Sequence, residues 1–218
     1  YMTKQELAFR FAQMFDSNKP VYTTKEAISI ASSKSEAYRL LEVLRYLGIV
    51  KYTRRYFTIN TTLVSQSINL IEKILPSLEA LSRGKRFARY YDESDINFAM
   101  KNVNHNLVTL DYAAWELTKY QSTLDYYVYV EDVEQTVTYL KQNKFHEGQK
   151  GHVIILPMIG DFINIIQRIY FDCIANGGRS IQDAVAIELL FHDRLSYKAN
   201  FPIELIQKVE EDLPIQQK

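Results

Sequence analysis

Eight side chains between residues 34 and 55 could bind a polyanion, because six are cationic and two carry a hydroxyl group. They are Lys34, Ser35, Tyr38, Arg39, Arg45, Lys51, Arg54 and Arg55. Lys and Arg attract phosphates through charge, while Arg, Ser and Tyr also make directional hydrogen bonds to phosphates and base edges. The residue types therefore predict contacts with double-stranded DNA, provided that the fold presents them on one surface.

A predicted helix over residues 33–48 carries the first five of these side chains. Ser33 and Glu36 have the spacing of a capping box, and Gly48 suits the position just after a helix end. Tyr38 and Arg39, near the start of the helix, are the candidates for contact with base edges. The apolar residues recur at helical intervals and predict a core-facing stripe that leaves the candidates on the other face: Ala37, Leu40, Leu41, Leu44 and Leu47.

Two runs rich in β-branched and aromatic residues, 49–52 and 56–59, flank a basic turn and predict a β-hairpin. Its Lys51, Arg54 and Arg55 are expected to bind phosphates and to position the protein without reading sequence. Upstream, the pattern predicts a helix over residues 4–16 and a short helix opened by a second capping box at 23–26. This order of elements resembles the winged helix-turn-helix regulators, and we assign it to residues 1–62.

The net charge of zero conceals a division of the chain into a basic and an acidic half. Residues 1–89 contain 15 Lys and Arg against 7 Asp and Glu, whereas residues 90–218 contain 11 against 19. A basic half that also carries the hairpin and helix pattern favours a DNA-binding regulator with a second domain. The plainer alternatives are a solvated charged helix face, or a winged helix that contacts protein instead of DNA.

The rest of the chain is predicted to be a helical connector, 63–89, followed by a mixed domain, 90–218. The connector has a helical stripe of Leu and Ile that is interrupted at Pro76, and it either packs in the core or forms a dimer seam. Helices and strands alternate after residue 90, so the predicted class is α+β. The expected helices are 93–103, 105–118, 133–140, 163–175 and one opened by Ser180, and the expected strands are 124–130 and 153–156.

Segments 110–115, 127–132 and 167–172, the last leading to 177–180, resemble the AbiEi-like family of abortive-infection antitoxins. The resemblance implies a winged helix joined to a domain related to nucleotidyltransferases, and repression of the regulator's own promoter. It also implies a separately encoded toxin as a cognate partner. The positions that match the family's motif are Gln167, Tyr170, Asp172, Gly177, Gly178, Arg179, Ala184 or Ala186, and Leu189.

Nucleotidyl transfer requires a Gly-Ser turn followed by an Asp-x-Asp pair, and this chain has no such sequence. Asp92 and Asp95 are expected to cap the helix over 93–103, and Glu131 and Asp132 to begin the helix over 133–140. We therefore expect no catalytic residue, no metal site and no cofactor. Cys173 lies in an apolar stretch and is expected to be a buried, inert thiol.

The turn at Gly177 and Gly178 is expected to use left-handed backbone conformations, with Ser180 capping the helix that follows. Arg179 is expected to form an ion pair with Asp172 or Asp183 in an apolar neighbourhood.

Together these patterns predict a cytoplasmic, non-catalytic DNA-binding regulator that acts as a homodimer and has no membrane partner. No apolar run approaches the roughly 20 residues that cross a bilayer. Two alternatives stay open: a nucleotidyltransferase-type enzyme with an accessory winged helix, and a winged-helix protein-interaction module.

Overall fold

A computed structural model describes residues 19, 21–31, 33–46, 50–53, 55–59 and 64–214. The helix predicted over residues 4–16 lies outside the described residues, as do Leu47, Gly48 and Arg54. The described part is mixed α/β and contains two β-sheets.

The first sheet contains three short antiparallel strands in the order β1-β3-β2. Val50 pairs with Ile59, and Tyr22 pairs with Phe57, which also stacks on the Tyr22 ring at 5.4 Å between centroids. The predicted hairpin is therefore confirmed, and a strand from before the two helices completes its sheet. The elements are β1 (Tyr22–Thr23), α1 (Thr24–Ile30), α2 (Lys34–Tyr46), β2 (Val50–Tyr52) and β3 (Tyr56–Ile59).

A long helix, α3 (Val64–Ser82), connects the hairpin to the second sheet. The sequence predicted an interruption at Pro76, but the helix continues through that residue. A proline inside a helix removes one backbone hydrogen bond. Leu75 and Leu78 on either side of it are buried in the same core, and we attribute the continuity of the helix to that packing.

The second sheet has five strands in the order β5-β6-β8-β4-β7. Strands β6 and β8 are parallel, and the other neighbouring pairs are antiparallel. The elements of this region are β4 (Lys85–Ala88), α4 (Glu93–Asn102), β5 (Leu107–Thr109), α5 (Leu110–Thr118), β6 (Tyr126–Val130), α6 (Val133–Gln142), β7 (His146–Glu147) and β8 (Val153–Pro157).

Three of these strands were not predicted from the sequence, and one of them is β7, which pairs with β4 in a stretch to which the sequence analysis assigned no element. Leu107–Thr109 was expected to be helical as part of 105–118, but it pairs with β6 and the helix begins only at Leu110. Lys85–Ala88 was assigned to the connector, but it forms the strand between β8 and β7. The sheet of the acidic half therefore begins before residue 90, where the sequence analysis set the start of that domain.

Both faces of the larger sheet are covered by helices, and every residue of β6 is buried. Tyr126, Val128 and Val130 face a cluster that includes residues of α4 and α6. Tyr127 and Tyr129 point to the opposite face, because side chains alternate along a strand. That second face is covered by α3, α5 and two further helices, α7 (Ile165–Asn176) and α8 (Ser180–Phe191).

Helix α7 belongs to the acidic half but contacts both halves of the chain. It packs against α3, α5 and α8, and it also contacts α2 of the basic half. Leu41 and Leu44 of α2 and Ile169 and Cys173 of α7 belong to one buried apolar cluster. A last helix, α9 (Ile203–Asp212), packs on α8.

Candidate nucleic-acid interface

The short helix α1 is fixed by a complete capping box, as the sequence predicted. The Thr23 hydroxyl accepts a hydrogen bond from the Glu26 backbone N–H, and the Glu26 carboxylate accepts one from the Thr23 backbone N–H at 2.6 Å. Lys19 also forms an ion pair with Glu26. This lysine and the Thr23 backbone hydrogen bond lower the pKa of Glu26 to about 2.

Helix α2 separates its residues into a buried and an exposed face. Ala37, Leu41 and Leu44 are buried, as the predicted stripe requires. Lys34, Ser35 and Arg45 are exposed, and Tyr38 is half-buried. An amphipathic helix arranged in this way is held by its apolar face and offers its polar face to solvent or to a partner.

Two of the candidate DNA-binding residues of α2, Lys34 and Arg45, contact other side chains of the same helix. The Lys34 ammonium lies 5.9 Å from the centre of the Tyr38 ring, a cation–π distance. Arg45 lies 3.8 Å from the Glu42 carboxylate one turn earlier, an exposed pair of little energetic value. The structure places the backbone of Arg39 in α2 and does not describe its side chain.

The hairpin also has one buried and one exposed face. Val50 and Phe57 are buried, whereas Lys51 is exposed and pairs in register with exposed Thr58. Arg55 is exposed at the turn, and its carbonyl accepts a hydrogen bond from the Thr24 backbone N–H at 3.3 Å. That bond ties the hairpin turn to the start of α1.

Two hairpin residues that the sequence analysis did not propose share this exposed surface. Tyr56 is 51% exposed next to Arg55, and Thr58 lies opposite Lys51. The alternation of side chains about buried Phe57 is the signal that could have identified them. Tyrosine and threonine hydroxyls both donate hydrogen bonds to phosphate oxygens.

The described candidates therefore form a helix group and a hairpin group on one module. The helix group contains Lys34, Ser35, Tyr38 and Arg45, all on α2. The hairpin group contains Lys51 of β2 and Arg55 of the turn.

The buried ion pair of the acidic half is not the pair that the sequence predicted. Asp172 is fully buried and pairs with Arg168, one helical turn earlier, at 2.9 Å. Arg179 instead donates hydrogen bonds to Gln121 and to Ser122. Arg168 pairs with Asp172 because the two residues lie on the same face of α7. Arg179 is exposed beyond the turn that ends this helix.

The Asp172 carboxylate is surrounded by donors. It accepts hydrogen bonds from the hydroxyls of Thr109 at 2.6 Å and Tyr129 at 2.9 Å, in addition to the Arg168 Nε–H. Burial raises the pKa of Asp172, and the Arg168 charge opposes that rise. These side chains join β5, β6 and α7 through one polar network in an apolar layer.

The turn between α7 and α8 has glycines with positive φ, as predicted, at 72° for Gly177 and 53° for Gly178. Ser180 does not cap α8, contrary to the prediction. The residue before the helix is Arg179, and the Ser180 hydroxyl accepts a hydrogen bond from the Asn176 side chain at 2.9 Å. This contact holds the two helices together across the turn.

The acidic residues considered for metal chemistry have structural contacts. Asp92 and Asp132 are helix N-caps, as expected. Asp95 is buried and accepts hydrogen bonds from the backbone N–H groups of Arg89, Tyr90 and Tyr91. Within the described ranges, no group of three His, Cys, Asp or Glu side chains is placed to hold a metal ion.

The Cys173 thiol is fully buried, as predicted, and burial raises its pKa well above the ordinary value. Among the residues that the structure describes, no helix has both the length and the apolar character needed to span a bilayer.

Comparison of the chain with protein-family models, with curated proteins and with solved structures gives no significant match.

Proposed function

We propose that the chain is a DNA-binding transcriptional regulator whose residues 1–62 form a winged helix-turn-helix. The observation that carries the proposal is the arrangement of α2 and the hairpin, which bury their apolar faces and expose the helix group and the hairpin group. The strand order β1-β3-β2, with α1 and α2 inserted between β1 and β2, supports this interpretation. In this architecture the second helix enters the major groove.

The roles of individual residues follow from their positions. Arg39 and Tyr38, near the start of α2, contact base edges, while Lys34 and Ser35 contact base edges or the nearby backbone. Lys51, Arg54 and Arg55 bind phosphates from the hairpin, and Arg45 does so from the end of the helix. The protein acts in the cytoplasm as a dimer whose two helices reach adjacent faces of the duplex.

The acidic half is a regulatory or interaction domain without catalytic activity. The capping and buried roles of Asp92, Asp95 and Asp132 support this assignment, because these carboxylates are already engaged by backbone donors. The resemblance to AbiEi-like regulators extends the proposal to repression of the chain's own promoter, to a domain related to nucleotidyltransferases and to a separately encoded toxin.

The test is a fluorescence-anisotropy titration of the full chain with duplex DNA from upstream of its own gene, at several salt concentrations. Arg54→Ala with Arg55→Ala should weaken binding about equally for all sequences, and the salt dependence should become shallower by about one unit for each lost phosphate contact. Lys101→Ala with Lys141→Ala, two exposed lysines of the acidic half, is the matched control and should bind like the wild type.

Arg39→Ala provides a second, different readout. It should reduce the preference for the promoter over scrambled DNA, because a base contact contributes about 1–3 kcal/mol of discrimination. Unchanged affinity in all three arginine substitutions would refute the proposed surface. Binding to a protein with no binding to DNA would favour the interaction-module alternative.

A further inference from the structure

A cleft of about 540 Å³ opens between α3, the first half of α7 and the loop that follows α8. Its walls include Lys73 and Pro76 of α3, Phe171 of α7 and Tyr197 of the loop. This volume falls within the range of small-molecule sites in proteins. The proposed DNA contacts do not involve the residues of this cleft.

The loop wall of the cleft is held in place by a buried side chain. The Gln167 amide donates to the Tyr197 carbonyl at 3.1 Å and accepts from the Tyr197 backbone N–H at 3.0 Å. The rings of Tyr197 and Phe171 then lie 6.1 Å apart at 50°. Two positioned rings and a proline form an apolar wall that suits a flat hydrocarbon group.

Two buried polar groups from facing helices also line the cleft. Arg168 is 3% exposed and uses three of its five N–H groups on Asp172, the Ile159 carbonyl and the Tyr129 hydroxyl. The Ser77 hydroxyl is buried and makes no well-aligned hydrogen bond to a described residue, but it acts on Asp172 as a weak donor and lowers the pKa of that carboxyl. A buried hydroxyl that is only weakly satisfied is costly, so a ligand acceptor that reached it would gain a hydrogen bond.

The remaining charges of the cleft are of both signs. Lys73 is cationic, Glu72 and Asp161 are anionic, and all three are exposed. Arg168 is already paired with Asp172, which leaves no excess of positive charge. A multiply charged anion such as a phosphate would meet Glu72 and Asp161, and a purely apolar molecule would leave the polar groups unpaired.

We infer that this cleft binds a small zwitterion with a flat apolar side chain, the chemistry of an aromatic α-amino acid. Its carboxylate lies toward Lys73, Ser77 and Arg168, its ammonium group toward Glu72 or Asp161, and its side chain against Phe171 and Tyr197.

Occupancy of the cleft is coupled to the DNA-binding surface through α7, and this part of the inference rests on the proposed function. The same helix forms one wall of the cleft and packs against the apolar face of α2. A ligand that changes the spacing of α3 and α7 therefore changes the support on which α2 rests. Such a ligand shifts DNA affinity by the ratio of its affinities for the two arrangements.

The binding test uses the full chain and L-phenylalanine as the probe, measured by isothermal titration calorimetry. Phenethylamine lacks the carboxylate and 3-phenylpropionate lacks the ammonium group, and each should bind at least about tenfold more weakly, the loss expected for one charged hydrogen bond. No heat from L-phenylalanine at millimolar concentration would overturn the site.

Variants separate the site from a general effect on folding. Ser77→Ala removes a hydroxyl that interacts only weakly with Asp172, so it should lower thermal stability slightly while clearly weakening L-phenylalanine binding. Lys73→Ala should weaken the binding of L-phenylalanine and 3-phenylpropionate but not of phenethylamine, and Lys101→Ala is the matched exposed control. Equal binding by all variants would overturn the assignment.

The DNA arm repeats the anisotropy titration with and without saturating L-phenylalanine. A change in promoter affinity of at least about threefold, absent in Ser77→Ala, supports the coupling. Ligand binding with unchanged DNA affinity would refute the coupling alone. A chain that binds the amino acid but no DNA would refute the proposed function and leave the site standing.

Discussion

Lys51 of the hairpin and Arg168 of α7 are both cations, but the structure treats them in opposite ways. Lys51 is exposed on the outer face of the hairpin, whereas Arg168 is buried and hydrogen-bonded to Asp172 and Tyr129. Exposed charge contributes little to stability and is free to bind a charged partner. Buried charge is costly to desolvate, so it persists only where its donors and acceptors are matched. The comparison separates charge that holds the fold from charge that is available for recognition.

The largest effect is expected at the buried pair. Arg168→Met leaves Asp172 without its cation in an apolar layer and should lower the free energy of unfolding by about 3–5 kcal/mol. Urea denaturation of the full chain measures this value. Arg168→Met with Asp172→Leu should recover part of the loss, because no uncompensated charge then stays buried. A loss below about 1 kcal/mol for the single variant would show that the pair is not structurally important.

A second buried carboxyl predicts how stability depends on pH. Burial raises the pKa of Asp183 to about 7, helped by the nearby Asp111 charge and opposed by Arg179. Between about pH 4 and pH 7 the Asp183 carboxyl is therefore protonated in the folded chain and ionised in the unfolded chain. Its contribution to the free energy of unfolding is complete below about pH 4 and decreases as the pH rises to about 7. The slope from one proton is at most about 1.4 kcal/mol per pH unit.

Asp183→Asn is the variant that tests this slope. It should flatten the decrease in unfolding free energy between about pH 4 and pH 7, measured by urea denaturation at a series of pH values. Asp193→Asn, which changes an exposed aspartate just after α8, is the matched control and should keep the wild-type slope. An unchanged slope in Asp183→Asn would assign the pH dependence to other groups.

The smallest effect on stability is expected at the hairpin. Lys51→Ala should change the free energy of unfolding by no more than about 0.5 kcal/mol, because the side chain is exposed. The same variant should weaken DNA binding and make the salt dependence shallower. A large loss of stability at Lys51 would remove the distinction between the two kinds of charge.

Local patterns predicted the helix α2 and the hairpin correctly because their residues follow clear periods. Leu41 and Leu44 fall on the buried helix stripe, and Phe57 alternates with its exposed neighbours. These periods depend only on nearby residues, so one sequence is enough to detect them. The DNA contacts, by contrast, stay a prediction, since residue type and exposure do not identify the partner.

The strands missed by the sequence analysis are those whose pairing is non-local. Leu107–Thr109 is three residues long, and Lys85–Ala88 has two cations in four residues, so neither resembles a buried strand. Each is a strand only because the edge of β6 or β8 is available to it. The Arg168–Asp172 pair was detectable from its spacing of four residues on a helix, whereas Arg179 was favoured only by the apolar stretch around it.

The shared helix α7 has a consequence for how the basic half can be used in isolation. A fragment ending at residue 62 would lose the contact between α2 and α7, and the part of the apolar stripe of α2 that faces α7 would be exposed to water. Such a fragment would tend to self-associate, and grafting it onto another protein would transfer the cations without the scaffold that orients them. The helix-and-hairpin region therefore shares its hydrophobic core with the rest of the chain. A fragment designed to keep the orientation of α2 has to include α7.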